Sequence, residues 1–341
     1  MTHPHPTRRR CLSWALATAA AGLGTAHPSV AAARAQAPFP SRPIQLIVPW
    51  PPGGATDLAL RVLCEEVQPL LGQPVVVINK PGAAGTQVAP LLKMAEPDGH
   101  TIGQVPVTVY RHALMNHVPW EPLHDLSPIL QVSGVTFGVL VPAGSALRSW
   151  SDLIDWALAH PGELIVGSTG IGTTAHLAME DALARHGIRY VHVPYRGTAD
   201  QMLAVAGSQV MVGVNSTGFV PWLDQGKVRL LATFNAARNP RWPDVPTLRE
   251  LGYPNAVHSS PWGLAAPRGT PAEVVQRLHD SFAKAMFSER HQRELARYDQ
   301  TLEYLNTRDY RQALIETVER EKRLLARMNL LARPTAAPTG S

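Results

Sequence analysis

The chain reads as an α/β protein of two lobes with a cleft between them. Short apolar strand-like runs alternate with amphipathic helix-like runs, the pattern of βαβ units on a mainly parallel sheet. A second series of the same kind begins after Pro142-Ala143-Gly144. Two glycine-rich turns, Pro49 to Asp57 and Gly167 to His176, each follow a strand and open a helix, one in each series.

The elements follow in order. Ile44–Val48 is expected as a strand, Thr56–Leu71 as a helix and Val75–Asn79 as a second strand. A second glycine turn at Lys80 to Gly85 leads into a helix through Met94, and Pro97-Asp98-Gly99 turns into a strand at Thr101–Val105. After an apolar crossing at Val135–Val141, the second series predicts helices at Ser151–Ala159, after Gly172 and from Ala199. Its strands are expected at Leu164–Gly167, Arg189–Val193, Val210–Val214 and Val228–Thr233. A return crossing is placed near Ser259–Ala266, followed by helices at about Pro271–Phe287 and Thr307–Arg327. Two crossings make the first lobe discontinuous: 36–136 plus 262–330, with 137–261 as lobe 2 and 331–341 as a disordered tail. Two lobes on two connecting strands form a hinged cleft suited to enclosing a ligand.

The turns carry the chemistry. In Pro49-Trp50-Pro51-Pro52-Gly53-Gly54-Ala55-Thr56-Asp57, two prolines stiffen the approach and two glycines let the backbone turn with its N–H groups bare. Thr56 and Asp57 are helix-opening residues, and a helix N-terminus after such a turn suits a small anion. In Gly167-Ser168-Thr169-Gly170-Ile171-Gly172-Thr173-Thr174, Ser168, Thr169, Thr173 and Thr174 supply four hydroxyls beside the unpaired amides of a helix N-terminus. Hydrogen bonds to a charged group contribute about 1.5–3 kcal/mol each, so three or four of them reach the ~8 kcal/mol of a micromolar ligand after ordering costs. No arginine clamp is needed.

Other chemistries find less support. Gly170-x-Gly172-x-x-Ala175 fits a loose dinucleotide fingerprint, but Pro194-Tyr195-Arg196-Gly197 stands where the ribose-binding acid belongs. Ser168 is outside any Gly-x-Ser-x-Gly elbow, and no nucleophile–base pair is evident. His176 is expected to pack or cap, and His112, His117 and His124 lack metal-ligand spacing. No catalytic residue, metal or cofactor is expected. Trp50 is the aromatic to watch, because it borders the first turn.

Composition narrows the setting. Residues 1–35 carry Arg8, Arg9, Arg10 and Arg34 without an acid, and removing them leaves 27 basic against 26 acidic residues, so a nucleic-acid partner has little support. Arg8-Arg9-Arg10, the apolar Leu12–Leu23 and Ala33-Arg34-Ala35 read as an export signal cleaved near Ala35, by the general or the twin-arginine route. Beyond it only Cys64 remains, which excludes an internal disulfide. The expected location is the periplasm.

Several segments together resemble a known family. Phe39-Pro40-Ser41-Arg42-Pro43-Ile44, the Pro49–Asp57 turn, Asn79 to Gly85, Pro97 to Thr101, Gly167 to Thr173, Val193 to Gly197 and Asp244 to Thr247 are similar to the solute-binding proteins of tripartite tricarboxylate transporters, often called Bug proteins. The likeness runs in order from about residue 38 to 325. It implies a type II periplasmic binding fold, a Venus flytrap closing on a small carboxylate through backbone and hydroxyl groups. Carried over, Pro52, Gly53, Gly54, Thr56 and Asp57 belong to the first lobe's site, and Ser168, Thr169, Gly170, Thr173 and Thr174 to the second. Val107 and Thr108 fall in the family's ligand loop, here a more apolar VPVTVYRH, which points to a ligand with an apolar or aromatic portion. Asn215 is carried over too, but Val214 replaces a common Asp, which points away from amino acids.

The expectation is a monomeric extracytoplasmic binder of a small organic carboxylate, serving the membrane components of a tripartite transporter or a sensor kinase. The alternative is an exported hydrolase acting on a carboxylate or phosphate ester in the same cleft.

Overall fold

The computed structural model describes residues 39–332 apart from Asn255 and Val257. The expected export signal with its expected cleavage point, and the tail beyond residue 332, lie outside the described residues. The chain is still held at Ala332, whose N–H donates to the Leu114 carbonyl at 2.9 Å.

The first half forms β1 (Ile44–Val48), α1 (Ala55–Leu71), β2 (Val75–Asn79), α2 (Val88–Met94), β3 (Thr101–Pro106), α3 (Val107–Met115) and the short α4 (Pro122–Asp125). β4 (Leu126–Pro142) then crosses to α5 (Trp150–Ala159), β5 (Leu164–Ser168), α6 (Thr174–Ala184), β6 (Tyr190–Pro194) and α7 (Thr198–Ala206). They are followed by β7 (Val212–Ser216), α8 (Val220–Asp224) and β8 (Val228–Thr233). β9 (Ser259–Pro267) returns, and α9 (Ala272–Met286), α10 (Glu289–Arg297), β10 (Thr301–Leu305) and α11 (Thr307–Arg327) complete the order.

The βαβ units behave as their apolar runs dictate. β1 pairs in parallel with β2 and β3, and β5 pairs in parallel with β6 and β7. The expectation of a mainly parallel sheet needs correction, because the two crossing strands run antiparallel to everything they touch. β9 lies between β3 and β4, and β4 also pairs with β10, β7 and β8. The strand order is β2-β1-β3-β9-β4-β7-β5-β6.

β4 joins the two lobes. Up to Thr136 it is registered on β9, and from Phe137 it is registered on β7. Val135, Phe137, Val139 and Val141 continue one hydrophobic core from Ile44, Leu46 and Val48 to Val166, Val212 and Val214. α9 seals the first lobe with Val274, Leu278 and Phe282. The first half of β4, α3, α10 and β10 were not foreseen from sequence.

Candidate functional site: a cleft floored by helix N-termini

The first turn is organised by one buried acid. Asp57 is 0% exposed. Its carboxylate accepts from Gly53 N–H at 2.9 Å, Asn79 Nδ2 at 2.7 Å, and Arg61 at 3.0 and 3.1 Å. Asn79 Nδ2 also donates to the Trp50 carbonyl at 2.9 Å, so β2 ties both ends of the turn. Asp57 thus sits inside α1 and acts backwards on the turn, and Gly54 is the N-cap. The first internal bond of α1 is Leu58 N–H to the Gly54 carbonyl at 3.0 Å, which leaves the Ala55, Thr56 and Asp57 amides without helical acceptors.

The second glycine turn serves Trp50. A Cβ on Gly85 would lie 2.8 Å from the Trp50 indole, so only glycine lets that ring settle there. The indole N–H donates to Gln104 Oε1 at 3.0 Å, which leaves the Gln104 Nε2 as the amide's other donor.

In the other lobe, α6 begins at N-cap Thr173, whose hydroxyl donates to the Gly170 carbonyl at 2.8 Å and accepts from His176 N–H at 3.3 Å. α7 begins after Gly197, with Gln201 N–H bonding the Gly197 carbonyl. Its Thr198 and Ala199 amides therefore precede the helical ladder.

These starts converge on one cleft with about 820 Å³ of empty volume including its mouth. It is lined by Gly54–Asp57 of α1, Pro106 and Thr108 of α3, Thr173 and Thr174 of α6, and Gly197–Ala199 of α7. Trp50, Pro51, Pro52, Val135, Phe137 and Trp262 supply an apolar wall, and Gln104, Thr169, Ser216 and Ser260 add polar groups. No Lys, Arg or His is among these residues, and the one acid is already engaged by Arg61. Two buried polar atoms in the lining, Thr108 Oγ1 and Trp262 Nε1, have no hydrogen-bond partner, a costly state for a buried group unless something in the cleft bonds to it.

Of the residues proposed from sequence, the cleft brings together Pro52, Gly54, Thr56, Asp57, Thr108, Thr169, Thr173 and Thr174. Gly53, Val107, Ser168, Gly170 and Asn215 are outside its lining. Val107 is buried at the base of α3. Asn215 is fully buried, donates to Gln201 Oε1 and accepts from Thr198 Oγ1 at 3.3 Å, so it steadies a lining residue. Trp262, Gln104, Ser216, Ser260 and the Gly197–Ala199 turn were missed. The last had a signal: Pro194-Tyr195-Arg196-Gly197 is a third strand–glycine–helix junction.

The expectation of no nucleophile–base pair is corrected by geometry. Ser168 Oγ lies 2.7 Å from His192 Nε2, and His192 stacks on His176 with ring centroids 4.0 Å apart. Burial, reinforced by Arg111's charge, pushes His176 down to about 4; burial and the neighbouring His176 push His192 down to about 4. The Ser168 hydroxyl is also within reach of the Gly170 carbonyl at 3.1 Å, and the residue is 1% exposed. The pair braces the loop from behind.

The family model described as tripartite tricarboxylate transporter family receptor matches residues 59–330. A UPF0065 protein from the gbd 5′ region of Cupriavidus necator is 42% identical over 317 residues, 93% of this chain and 95% of that protein. The periplasmic binding protein BugD superposes with a TM-score of 0.81 at 27% identity, over 86% of this chain and 100% of its own. MatC from Rhodopseudomonas palustris, solved with bound malate, gives 0.79 at 27% identity, over 84% and 100%. R. palustris Rpa4515, solved with adipate, gives 0.80 at 26% identity, over 84% and 97%. Among the described residues, no helix is long and apolar enough to cross a membrane.

Proposed function

This chain belongs to the tripartite tricarboxylate transporter receptor family, and from that premise we propose that it is an extracytoplasmic solute-binding protein for a small organic carboxylate. The observation that carries the reading is the convergence of helix starts from α1, α3, α6 and α7 on a cleft with no cationic side chain in its lining. Helix N-termini present unpaired N–H groups and positive dipole ends, and a carboxylate is among the small anions that such a site holds without a counter-ion.

One carboxylate is assigned to the α1 and α7 amides with the Thr56 hydroxyl. The Trp50, Val135, Phe137 and Trp262 wall takes an apolar portion of the ligand. Thr108 Oγ1, Trp262 Nε1 and Gln104 are assigned to a second polar end. The malate and adipate of the structural relatives belong to this chemical class. Within this reading lobe 1 is 36–136 plus 262–330, lobe 2 is 137–261, and residues 1–35 direct export. The bound form is presented to a membrane transporter or a sensor.

We assign no catalysis to the chain. Ser168 and His192 favour a hydrolase only by their separation, and Ser168 is buried outside the cleft lining with its hydroxyl shared between the Gly170 carbonyl and His192. The test is a thermal-shift titration of residues 36–341, unfolded and refolded to strip carried-over ligand, with adipate, malate, aromatic acids, amino acids and adipamide. A saturable rise with a carboxylate, absent with the amide and without product formation, supports the binder. Consumption of the compound, or equal response to adipamide, overturns it.

A further inference from the structure

We propose that Arg111 is a positioning residue that latches the two lobes and aims the Thr174 hydroxyl into the cleft. The inference rests on the binder reading for its purpose, but its geometry stands apart from any ligand. Arg111 is on α3, one turn beyond Thr108, and is only 2% exposed. Its Nε donates to Glu321 Oε2 on α11 at 2.6 Å. Its terminal nitrogens reach across to the other lobe, donating to the Gly172 carbonyl at 2.8 Å and to Thr174 Oγ1 at 3.3 Å from each nitrogen. Gly172 and Thr174 bound the start of α6, and Thr174 lines the cleft.

This arrangement has two consequences. The Thr174 oxygen accepts from a guanidinium, so its own proton is left to donate into the cleft. A full positive charge then stands one hydrogen bond behind the site while Glu321 keeps the pair neutral. Opening the cleft would also exchange the guanidinium's acceptors in the second lobe for water, so the latch favours closure by the surplus of these pre-placed charge-assisted bonds over hydration. The same closure brings Gly197 against Pro51, where a Cβ would come within 2.7 Å of the proline ring. Sequence could not reveal the latch, because Arg111, Gly172 and Glu321 are joined only by the fold.

The test measures lobe separation in protein stripped of ligand by unfolding and refolding. Spin labels are placed at Met94→Cys and Leu203→Cys, exposed positions on α2 and α7, in a Cys11→Ser background; Cys64 is buried, with its thiol pushed up to about 12 by that burial, and stays unlabelled. The expected result is one short-distance population in the parent. It moves outward by several ångström with Arg111→Met, and less with Arg111→Lys and with Thr174→Val, which keeps the Gly172 bond. Arg111→Lys keeps a cation beside Glu321 but cannot bond the Gly172 carbonyl and Thr174 together, so it carries the test if Arg111→Met does not fold. A distance distribution unchanged by every Arg111 variant that folds, or already long in the parent, overturns the latch. A purely structural role would lower the melting temperature without moving the distance. Because no ligand enters, failure of the carboxylate reading leaves this measurement intact.

Discussion

The two glycine turns that face each other across the cleft look alike in sequence but spend their polar groups differently. In the Pro49–Asp57 turn, the internal bonds fall on Asp57, Asn79 and Arg61, and the backbone amides at the start of α1 stay available. In the 168–176 turn, Ser168, Thr173 and His176 are consumed in holding the loop itself, and Arg111 braces it from the other lobe. Counting hydroxyls therefore overestimates what the second turn offers a ligand. A turn rich in donors can be rich because it needs them for its own shape.

The largest effect that could break this comparison is at Asp57. Asp57→Asn is expected to cost about 2–3 kcal/mol, because one charged acceptor serves Gly53, Asn79 and Arg61; the shift in urea midpoint measures it. A loss under half a kcal/mol would mean the first turn holds itself without its acid.

Next is the pH response of the second turn. His176 and His192 titrate near 6.5 when unfolded and are held down to about 4 when folded. The unfolded chain therefore binds more protons between those values. Their contribution to stability is complete above about pH 6.5 and is lost as pH falls towards 4. His176 accounts for a loss on the order of 2 kcal/mol, and the half-buried His192 contributes less because solvent screens it. Melting temperatures from pH 7 to 4 should fall less steeply in His176→Gln. Parallel curves would remove the histidines from the account.

The smallest effect sharpens the contrast. Ser168→Ala should cost about 1 kcal/mol of stability yet leave affinity unchanged within about twofold, as its hydroxyl is turned into the loop. Thr56→Val should do the reverse, weakening the carboxylate with the largest thermal shift about tenfold, as expected for one hydrogen bond to a charged group. Calorimetric titration of both variants decides it.

Local patterns were readable and long-range ones were not. The βαβ strands and the glycine turns announce themselves within ten residues. The first half of β4 does not, because Pro128, Gln131 and Ser133 interrupt its apolar run and its partners β9 and β10 are more than a hundred residues away. α3 starts with Pro106-Val107-Thr108-Val109, whose β-branched residues give no helix-opening signal. α10 shows only His291 and Leu295 as buried residues, too little for a visible stripe. The site divides the same way. Thr56 and Thr173 come with their turns, whereas Trp262 and Ser260 reach the cleft because β9 registers Trp262 on Pro106 and Ser260 on Val135.

A cleft walled by dipoles and hydroxyls, with its one acid already neutralised by Arg61, has a consequence for the medium in which it works. Hydrogen bonds and helix ends act over a contact length, well inside the Debye length of about 8 Å at physiological ionic strength, so dissolved ions have little long-range attraction to screen. Affinity should hold almost constant between about 0.01 and 0.5 M sodium chloride, where a lysine- or arginine-lined anion site would weaken. A capture protein built this way keeps its grip when its surroundings turn from fresh to brackish.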